Sequence, residues 1–209
     1  MPFPISHLYA IIDPSQTGGS SPFTVAEILL RAGVRLIQYR DKSGSSRELF
    51  QHCRQIAEGI RRSEGTFIVN DRADVARVVD ADGVHLGQND LPVELVRRVV
   101  GPDKWVGYST HSLDQVIGAD RSSADYIAFG PIFQTRSKDN PDPVVGLEGL
   151  RRAREATRKP LVAIGGITVD NSRSVLDAGA DSVAVIRGLM GAGNIAARVE
   201  EFRKVLGGI

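Results

Sequence analysis

The amino-acid sequence predicts a single α/β domain, residues 1–209, folded as a (β/α)8 TIM barrel. Short apolar runs rich in β-branched and aromatic residues alternate eight times with helix-like segments. Strict alternation of this kind indicates a parallel sheet, and eight strand–helix units close most naturally into a barrel. Several runs also end in dense polar clusters, which α/β enzymes carry at the carboxyl ends of their strands. The chain is long enough for one such barrel with few insertions.

Glycine, proline and helix-capping residues bound the eight predicted strands. The strands are Leu8–Ile12, Arg35–Arg40, Thr66–Asn70, Gly83–Leu86, Trp105–Ser109, Tyr126–Gly130, Leu161–Gly165 and Ser182–Ile186. An open doubly wound sheet is the alternative architecture. The turn after the first strand argues against it, because residues 13–19 lack the Gly-x-Gly-x-x-Gly sequence typical of dinucleotide-binding sheets.

Three predicted helix starts carry the capping-box pattern, Thr24-x-x-Glu27, Ser45-x-x-Glu48 and Ser112-x-x-Gln115. In this pattern the hydroxyl and the later Glu or Gln side chain satisfy backbone N–H groups that the first helical turn leaves exposed. Its repetition directly after predicted strands supports the strand–helix alternation.

Composition and charge indicate which classes of partner and which cellular location to expect. The net charge is +1, without a run of like charges, so we expect neither a nucleic-acid nor a membrane partner. The only cysteine, Cys53, lies in register with Leu49, Ile56 and Ile60 on one apolar helical face, which predicts a buried structural thiol. No signal-peptide pattern and no apolar run of membrane-spanning length occurs, so we expect a cytoplasmic protein. The sequence leaves open whether the chain forms a homo-oligomer.

The second predicted strand ends in alternating polar residues. Alternation places Gln38, Arg40 and Lys42 on one side of the strand, and Ile37 and Tyr39 on the other. If the apolar side packs against the helices, an amide and two cations point into the barrel mouth. One Lys or Arg leaving a strand is usually only solvated. Two cations at alternate positions of a strand that is buried on both faces instead indicate an anionic partner.

Asp71 and Asp90 follow the third and fourth predicted strands, which are neighbours in a barrel. Their carboxylates are therefore expected to converge on one hard cation. Mg²⁺ suits such a site, since it commonly takes one or two carboxylates and completes its octahedron with water and substrate phosphate. Helix capping by either aspartate is the alternative. His85, in the fourth strand, shows no metal-ligand spacing, and we assign it no chemistry.

Two later loops predict a phosphate site. Gly165-Gly166 ends the seventh strand, and Ile186-Arg187-Gly188 ends the eighth before a short helical turn. In barrels of this kind the loops after strands 7 and 8, with the amino end of a short extra helix, form the usual phosphate cradle. A double glycine that serves only the turn is the alternative.

The connection from Gln134 to Gly146 is too long for a simple strand–helix link. It carries Thr135, Ser137 and Lys138, and we expect a lid whose lysine closes over a phosphate. An idle surface loop is the alternative. Ser109, at the end of the fifth strand, lacks a surrounding Gly-x-Ser-x-Gly elbow and fits better as a hydrogen-bond donor to phosphate than as a nucleophile.

Taken together, six segments resemble the thiamine phosphate synthase family over essentially the whole chain. They are Gln38-Tyr39-Arg40-Asp41-Lys42, Asn70-Asp71-Arg72-Ala73-Asp74, residues 82–90 (DGVHLGQND), Gly107-Tyr108-Ser109-Thr110-His111, residues 125–133 (DYIAFGPIF) and Ala163-Ile164-Gly165-Gly166-Ile167. The resemblance implies a (β/α)8 barrel that joins hydroxymethylpyrimidine diphosphate to a thiazole phosphate, which yields thiamine phosphate and diphosphate.

The resemblance also implies roles for individual residues. The pyrimidine diphosphate would be held by Gln38, Tyr39, Arg40, Asp41, Lys42, Asn70, Ser109 and Lys138. The thiazole phosphate would be held by Thr135, Arg136, Ser137, Gly166, Ile186 and Arg187. Asp71 and Asp90 would bind Mg²⁺. In the family mechanism the diphosphate leaves first, so Arg40, Lys42, Ser109 and Lys138 would act by stabilising a departing anion.

One segment departs from the family pattern. Ile186-Arg187 stands where the family usually has Val-Ser, which affects how the thiazole phosphate is held. A thiazole tautomerase on a similar barrel, with proton transfer by His111, is one alternative function. A non-catalytic barrel that acts as a regulator by binding a phosphate ligand is another. The sequence does not distinguish the thiazole phosphate from its carboxylated form as the natural acceptor.

Overall fold

The computed structural model of the protein describes residues 3–135 and 142–208. Eight parallel strands pair in sequence order, and β1 also pairs with β8, so the sheet closes into a barrel. The strands are β1 (Leu8–Ile12), β2 (Leu36–Tyr39), β3 (Thr66–Asn70), β4 (Gly83–Leu86), β5 (Trp105–Thr110), β6 (Tyr126–Phe129), β7 (Leu161–Ile164) and β8 (Ser182–Val185). The predicted barrel class is therefore confirmed.

Helices follow every strand and form the outer layer. They are α1 (Pro22–Arg31), α2 (Ser46–Ile60), α3 (Ala73–Val78), α4 (Val93–Val100), α5 (Leu113–Arg121), α6 (Gly146–Ala156), α7 (Val169–Asp177), α8 (Arg187–Met190) and α9 (Ile195–Leu206). A single 3₁₀ turn, Pro14–Gln16, lies between β1 and α1. Among the described helices, none is long and apolar enough to cross a membrane.

The predicted strands differ from the observed ones only at their carboxyl ends, apart from Arg35 before β2. Four of the predicted strands end one residue too late, because Arg40, Gly130, Gly165 and Ile186 leave the regular ladder. Gly165, for example, has a φ of 101°, which no strand residue adopts. The fifth strand instead extends one residue further, to Thr110.

The capping prediction is right at one helix and wrong at another. Ser45 and Glu48 form the reciprocal box, with Glu48 N–H donating to Ser45 Oγ and Ser45 N–H donating to Glu48 Oε2. In α1, however, Ser21 is the cap, and its Oγ accepts from the backbone N–H of Thr24. Pro22 explains the earlier start, since its fixed φ suits the first helical position.

Two apolar clusters hold the barrel together. Inward-facing side chains, among them Tyr9, Leu36 and Tyr126, fill its interior, and the outward-facing residues of the same strands pack against the helices. Phe3 closes the floor of the interior by stacking on the Tyr126 ring, with ring centroids 4.2 Å apart. The edge of Trp105 meets Phe3 at 5.7 Å.

Cys53 occupies the buried face of α2, as predicted, and is fully shielded from solvent. Burial, together with the nearby Asp41 carboxylate, raises the pKa of its thiol to about 12. Because the thiolate is the reactive form, we expect the folded protein not to react with a disulfide reagent at mildly alkaline pH. The measurement is a thiol titration, which should detect one thiol per chain only after denaturant is added. Rapid reaction of the folded protein would contradict this packing.

Candidate active site

A cavity of about 880 Å³ opens at the carboxyl ends of the strands. Residues from all eight strand ends or the loops that follow them line it. Most of the charged and amide side chains lie on the side of β2, β3 and β4, while three glycines and Arg187 lie on the side of β7 and β8. The cavity therefore has two chemically different ends, one able to hold an anion through side chains and one through backbone groups.

At the end of β2, Gln38, Arg40 and Lys42 all face the cavity, as strand alternation predicts. Arg40 is largely buried and donates to Asp13 Oδ2 at 2.5 Å. Lys42 is more exposed and donates to Asp71 Oδ2. Both cations thus have a carboxylate partner at the cavity edge, which fixes where their charge lies.

Asp13 is a site residue that sequence reasoning missed. Its Oδ1 caps the 3₁₀ turn after β1 by accepting from Ser15 N–H at 3.1 Å, and its Oδ2 accepts from Arg40. One side chain therefore joins the loop after β1 to the Arg40 guanidinium at the end of β2. The Asp13-Pro14 pair after a strand was the available signal, since such a pair begins many turns.

Tyr39 and Asp41, which the family resemblance assigns to the pyrimidine diphosphate, do not line the cavity. The Tyr39 hydroxyl lies on the helix side of β2, where it donates to Asp41 Oδ2 at 3.1 Å and lies 2.8 Å from His52 Nδ1. Asp41 Oδ1 accepts from the backbone N–H groups of Ser43 and Gly44. Although burial opposes it, these backbone donors lower the pKa of Asp41. Both residues shape the loop that carries Lys42.

Asp71 and Asp90 come together at the cavity edge, as expected for neighbouring strand ends. Burial raises the pKa of Asp71, and the adjacent Asp90 carboxylate adds to this rise, while the Lys42 ammonium opposes it. Asp90 Oδ2 also accepts from Gly87 N–H at 2.6 Å. Asp71 has a φ of 61°, in the left-handed region that Asp and Asn tolerate better than most residues.

This donor set fits Mg²⁺. Two adjacent carboxylates, one of them with a raised pKa, concentrate negative charge that a divalent cation would neutralise. Within residues 3–135 and 142–208, no group of three or more His, Cys, Asp or Glu side chains is arranged to hold a metal. A metal here would therefore need oxygen ligands from water and a substrate, which is the usual situation for Mg²⁺.

The glycine end of the cavity is formed by Gly165, Gly166, Ile186, Arg187 and Gly188. Gly166 has a φ of 66°, and a Cβ there would lie 2.5 Å from the carbonyl oxygen of Gln134. Only glycine allows this close approach, so the loop after β7 is packed against the loop after β6. The Arg187 side chain is exposed and has no ion-pair or hydrogen-bond partner among the described residues.

The long loop after β6 contributes Gln134 and Thr135 to the cavity lining. Arg136, Ser137 and Lys138 lie outside the described residues, so their expected roles remain predictions. His111 lines the cavity, with Nδ1 2.7 Å from the Gly130 carbonyl oxygen and Nε2 3.5 Å from Asp142 Oδ2.

At the floor of the cavity, a line of polar side chains crosses the barrel interior. Gln38 Nε2 donates to the Tyr9 hydroxyl at 2.8 Å, and the Tyr9 and Tyr126 hydroxyls are 3.0 Å apart. His85 Nδ1 lies 3.0 Å from the Tyr126 hydroxyl, and its Nε2 lies 2.8 Å from Ser109 Oγ. We call these five residues the interior network. Sequence reasoning placed Gln38 and Ser109 in the site but missed the three residues that connect them, although His85 and Tyr126 are polar residues in otherwise apolar strands.

Comparison with known proteins agrees with this geometry. A family model described as thiamine monophosphate synthase matches residues 8–189. The thiamine-phosphate synthase of Koribacter versatilis is 51% identical over 190 residues, which cover 89% of this chain and 90% of that protein. The corresponding protein of Caldicellulosiruptor bescii is 39% identical over 199 residues, covering 95% and 91% of the two chains.

Among solved structures, thiamine phosphate pyrophosphorylase from Pyrococcus furiosus superimposes with a TM-score of 0.86 at 37% identity and covers 96% of both chains. The extent of these matches includes every strand of the barrel and both ends of the cavity. The chain belongs to the thiamine monophosphate synthase family.

Proposed function

We propose that this chain is a thiamine phosphate synthase of thiamine biosynthesis, which transfers the hydroxymethylpyrimidine group from its diphosphate to thiazole phosphate. The observation that carries the proposal is the two-ended cavity. One end gathers Arg40, Lys42, Asp71 and Asp90, and the other is bounded by Gly166 and Gly188. A reaction between a diphosphate and a monophosphate substrate needs two anion sites that face one another, and this cavity offers both. The reaction is proposed to take place in the cytoplasm, the compartment that the sequence predicts.

The pyrimidine diphosphate is proposed to lie at the charged end. Arg40 and Lys42 supply positive charge to the leaving group, and Asn70 and Ser109 supply hydrogen bonds. Asp13 keeps the Arg40 guanidinium at the cavity edge. Preorganised charge of this kind stabilises a departing anion without the cost of reorganising solvent. Lys138 is proposed to close over the same diphosphate, on the basis of the family resemblance alone.

Asp71 and Asp90 are proposed to hold Mg²⁺, which when bound supplies positive charge to the diphosphate oxygens. The Lys42 ammonium then has two negatively charged neighbours, the Asp71 carboxylate and the substrate diphosphate. With Mg²⁺ held by Asp71, the Lys42 ammonium would be free to pair with the diphosphate. Lysine suits this exchange because its ammonium is a compact charge on a flexible stem.

The thiazole phosphate is proposed to lie at the glycine end, where the loops after β7 and β8 line the cavity and their backbone N–H groups would serve as donors. Amide donors do not depend on side-chain identity, so the Arg187 departure from the family pattern leaves them intact. Both substrates then lie in one cavity, which converts their encounter into a reaction between positioned groups. In the proposed mechanism the diphosphate leaves, and the thiazole nitrogen captures the resulting pyrimidine cation.

The tautomerase alternative is not favoured. Such an enzyme would use His111 for proton transfer and would have no use for the adjacent Asp71 and Asp90 carboxylates. In the structure both His111 nitrogens face protein oxygens, those of Gly130 and Asp142, which suits a side chain that holds the loop in place.

The metal site is tested with Asp71→Asn. Asparagine accepts the positive φ of this position, so the variant should fold, but a neutral ligand binds Mg²⁺ less well. We expect diphosphate release to fall by about a hundredfold or more at ordinary Mg²⁺ concentration, with part of the loss recovered at higher concentration. Steady-state assays over a Mg²⁺ series give the measurement.

Asp80→Asn is the matched control, because Asp80 also has a positive φ, 54°, but lies outside the cavity. It should keep wild-type kinetics. An Asp71→Asn enzyme whose activity is unchanged, or equal turnover of the wild type in excess chelator, would show that no metal acts at this site.

The glycine end is tested with Arg187→Ser. Because backbone groups are proposed to hold the thiazole phosphate, kcat should stay unchanged and the KM for thiazole phosphate should rise by no more than about tenfold. The control is Arg152→Ser, which removes another exposed arginine from α6 on the outside of the barrel. A collapse of kcat in Arg187→Ser alone would assign the arginine to the transition state and contradict a backbone-bound phosphate.

A further inference from the structure

The interior network joins Gln38 to Ser109 along the floor of the cavity, which Tyr9 and His85 also line and Tyr126 does not. Tyr9 and Tyr126 are 1% and 0% exposed, and His85 is 7% exposed. Burial raises the pKa of both tyrosines, so both hydroxyls keep their hydrogens. In such a water-poor interior each hydrogen must be donated to a protein neighbour, because a buried donor without an acceptor is costly.

These hydrogens can be traced from one end to the other. Gln38 Nε2 donates to the Tyr9 oxygen, so Tyr9 donates its own hydrogen to Tyr126. Tyr126 then donates to His85 Nδ1. A neutral imidazole that accepts at Nδ1 carries its hydrogen on Nε2, and it donates this hydrogen to Ser109 Oγ.

The network presents a hydrogen-bond donor to the cavity at one end and an acceptor at the other. Ser109 Oγ accepts from His85, so its own hydrogen is directed to the cavity. At the other end, Gln38 uses an N–H on Tyr9, which leaves its carbonyl oxygen available to the cavity. If every hydrogen bond in the network were reversed, Ser109 would donate its hydrogen to His85, and Gln38 would direct its amide nitrogen to the cavity. The polarities of the two ends are therefore coupled.

We propose that Tyr9, Tyr126 and His85 are positioning residues that make Ser109 a hydrogen-bond donor to the diphosphate and Gln38 an acceptor for the pyrimidine. This inference rests on the proposed function for the identity of the two substrate groups. Tyr9 contacts Gln38 and Tyr126, and His85 contacts Tyr126 and Ser109. The three residues therefore act by orienting the hydrogen bonds of Gln38 and Ser109.

The surrounding residues pack closely against this arrangement. A Cβ at Gly107 would overlap the Tyr126 ring and hydroxyl and would crowd His85 Nδ1. The inward face of β5 is therefore left empty at the point where the tyrosine and the histidine meet. From below, the stacked Phe3 ring holds Tyr126 in place. A rigid frame keeps hydrogen-bond directions fixed, which is what a positioning role requires.

The tautomer is tested without any activity assay. Histidine-ring ¹⁵N labelling and long-range ¹H–¹⁵N correlation spectra distinguish a ring with hydrogen on Nε2 from one with hydrogen on Nδ1. The His85 signals are assigned by elimination with single substitutions of His7, His52 and His111. We expect the Nε2–H form in the wild type and a shift towards the Nδ1–H form in Tyr126→Phe, where Nδ1 has lost its donor. A wild-type His85 with hydrogen on Nδ1 would overturn the proposal.

Kinetics test the effect on the substrate. Tyr9→Phe and Tyr126→Phe each break one link with little change in volume, and each should lower kcat/KM for the pyrimidine diphosphate by about tenfold, while the KM for thiazole phosphate stays unchanged. The control is Tyr108→Phe, since Tyr108 faces the outer core and should keep wild-type kinetics.

A double-variant cycle separates positioning from general destabilisation. If Tyr126 acts through Ser109, then Tyr126→Phe should have no further effect in a Ser109→Ala background. Full additivity of the two losses would overturn the coupling. Absence of thiamine phosphate formation by the wild type would instead contradict the proposed function, and the tautomer measurement would still decide on the network.

Discussion

Closure of the sheet is the constraint on which the rest of the structure depends. Since β1 pairs with β8, the interior has a fixed width, and each inward side chain must fit those opposite it. The Tyr126 ring fits because Gly107 contributes no side chain. These rings fill the barrel at the amino ends of the strands, so the polar inward-facing residues lie nearer the mouth. The position of the site thus follows from how the core is filled.

At the mouth, the charges are arranged in pairs whose partners come from different strands. Asp13 follows β1 and holds a cation of β2, and Asp71 follows β3 and holds the next cation. The Lys42–Asp71 pair is partly exposed, so it contributes little to stability by itself, whereas the Arg40–Asp13 pair is largely buried. Each pair fixes the position of a cation relative to two strands at once.

The architecture was predictable because it follows local periodicity. Strand and helix patterns span a few residues each, and β1, β3 and β4 have the predicted bounds. Alternation also predicted that Tyr39 faces away from Gln38 and Arg40, which the structure confirms. By contrast, the family motif alone grouped Tyr39 with the substrate residues. Strand geometry was the better guide to where that side chain points.

What could not be predicted depends on contacts between distant parts of the chain. The hydroxyls of Tyr9 and Tyr126 meet although 117 residues separate them, and 27 residues separate Asp13 from Arg40. No sequence period links such positions, because the pairing of β1 with β2 brings Asp13 to Arg40 and the closed barrel brings Tyr9 to Tyr126. The cap of α1 failed for a local reason, since Ser21 and Thr24 are both good capping residues and Pro22 decided between them.

The aromatic floor has a consequence for how molecules move through the enzyme. Phe3, Tyr126 and Trp105 close the barrel at the amino ends of the strands, so across the described residues the cavity opens towards solvent only at the opposite face. Two substrates and two products therefore enter and leave through one opening. The diphosphate must leave through the same opening that admits the thiazole phosphate. Product release through this opening, rather than bond breaking, can therefore limit turnover.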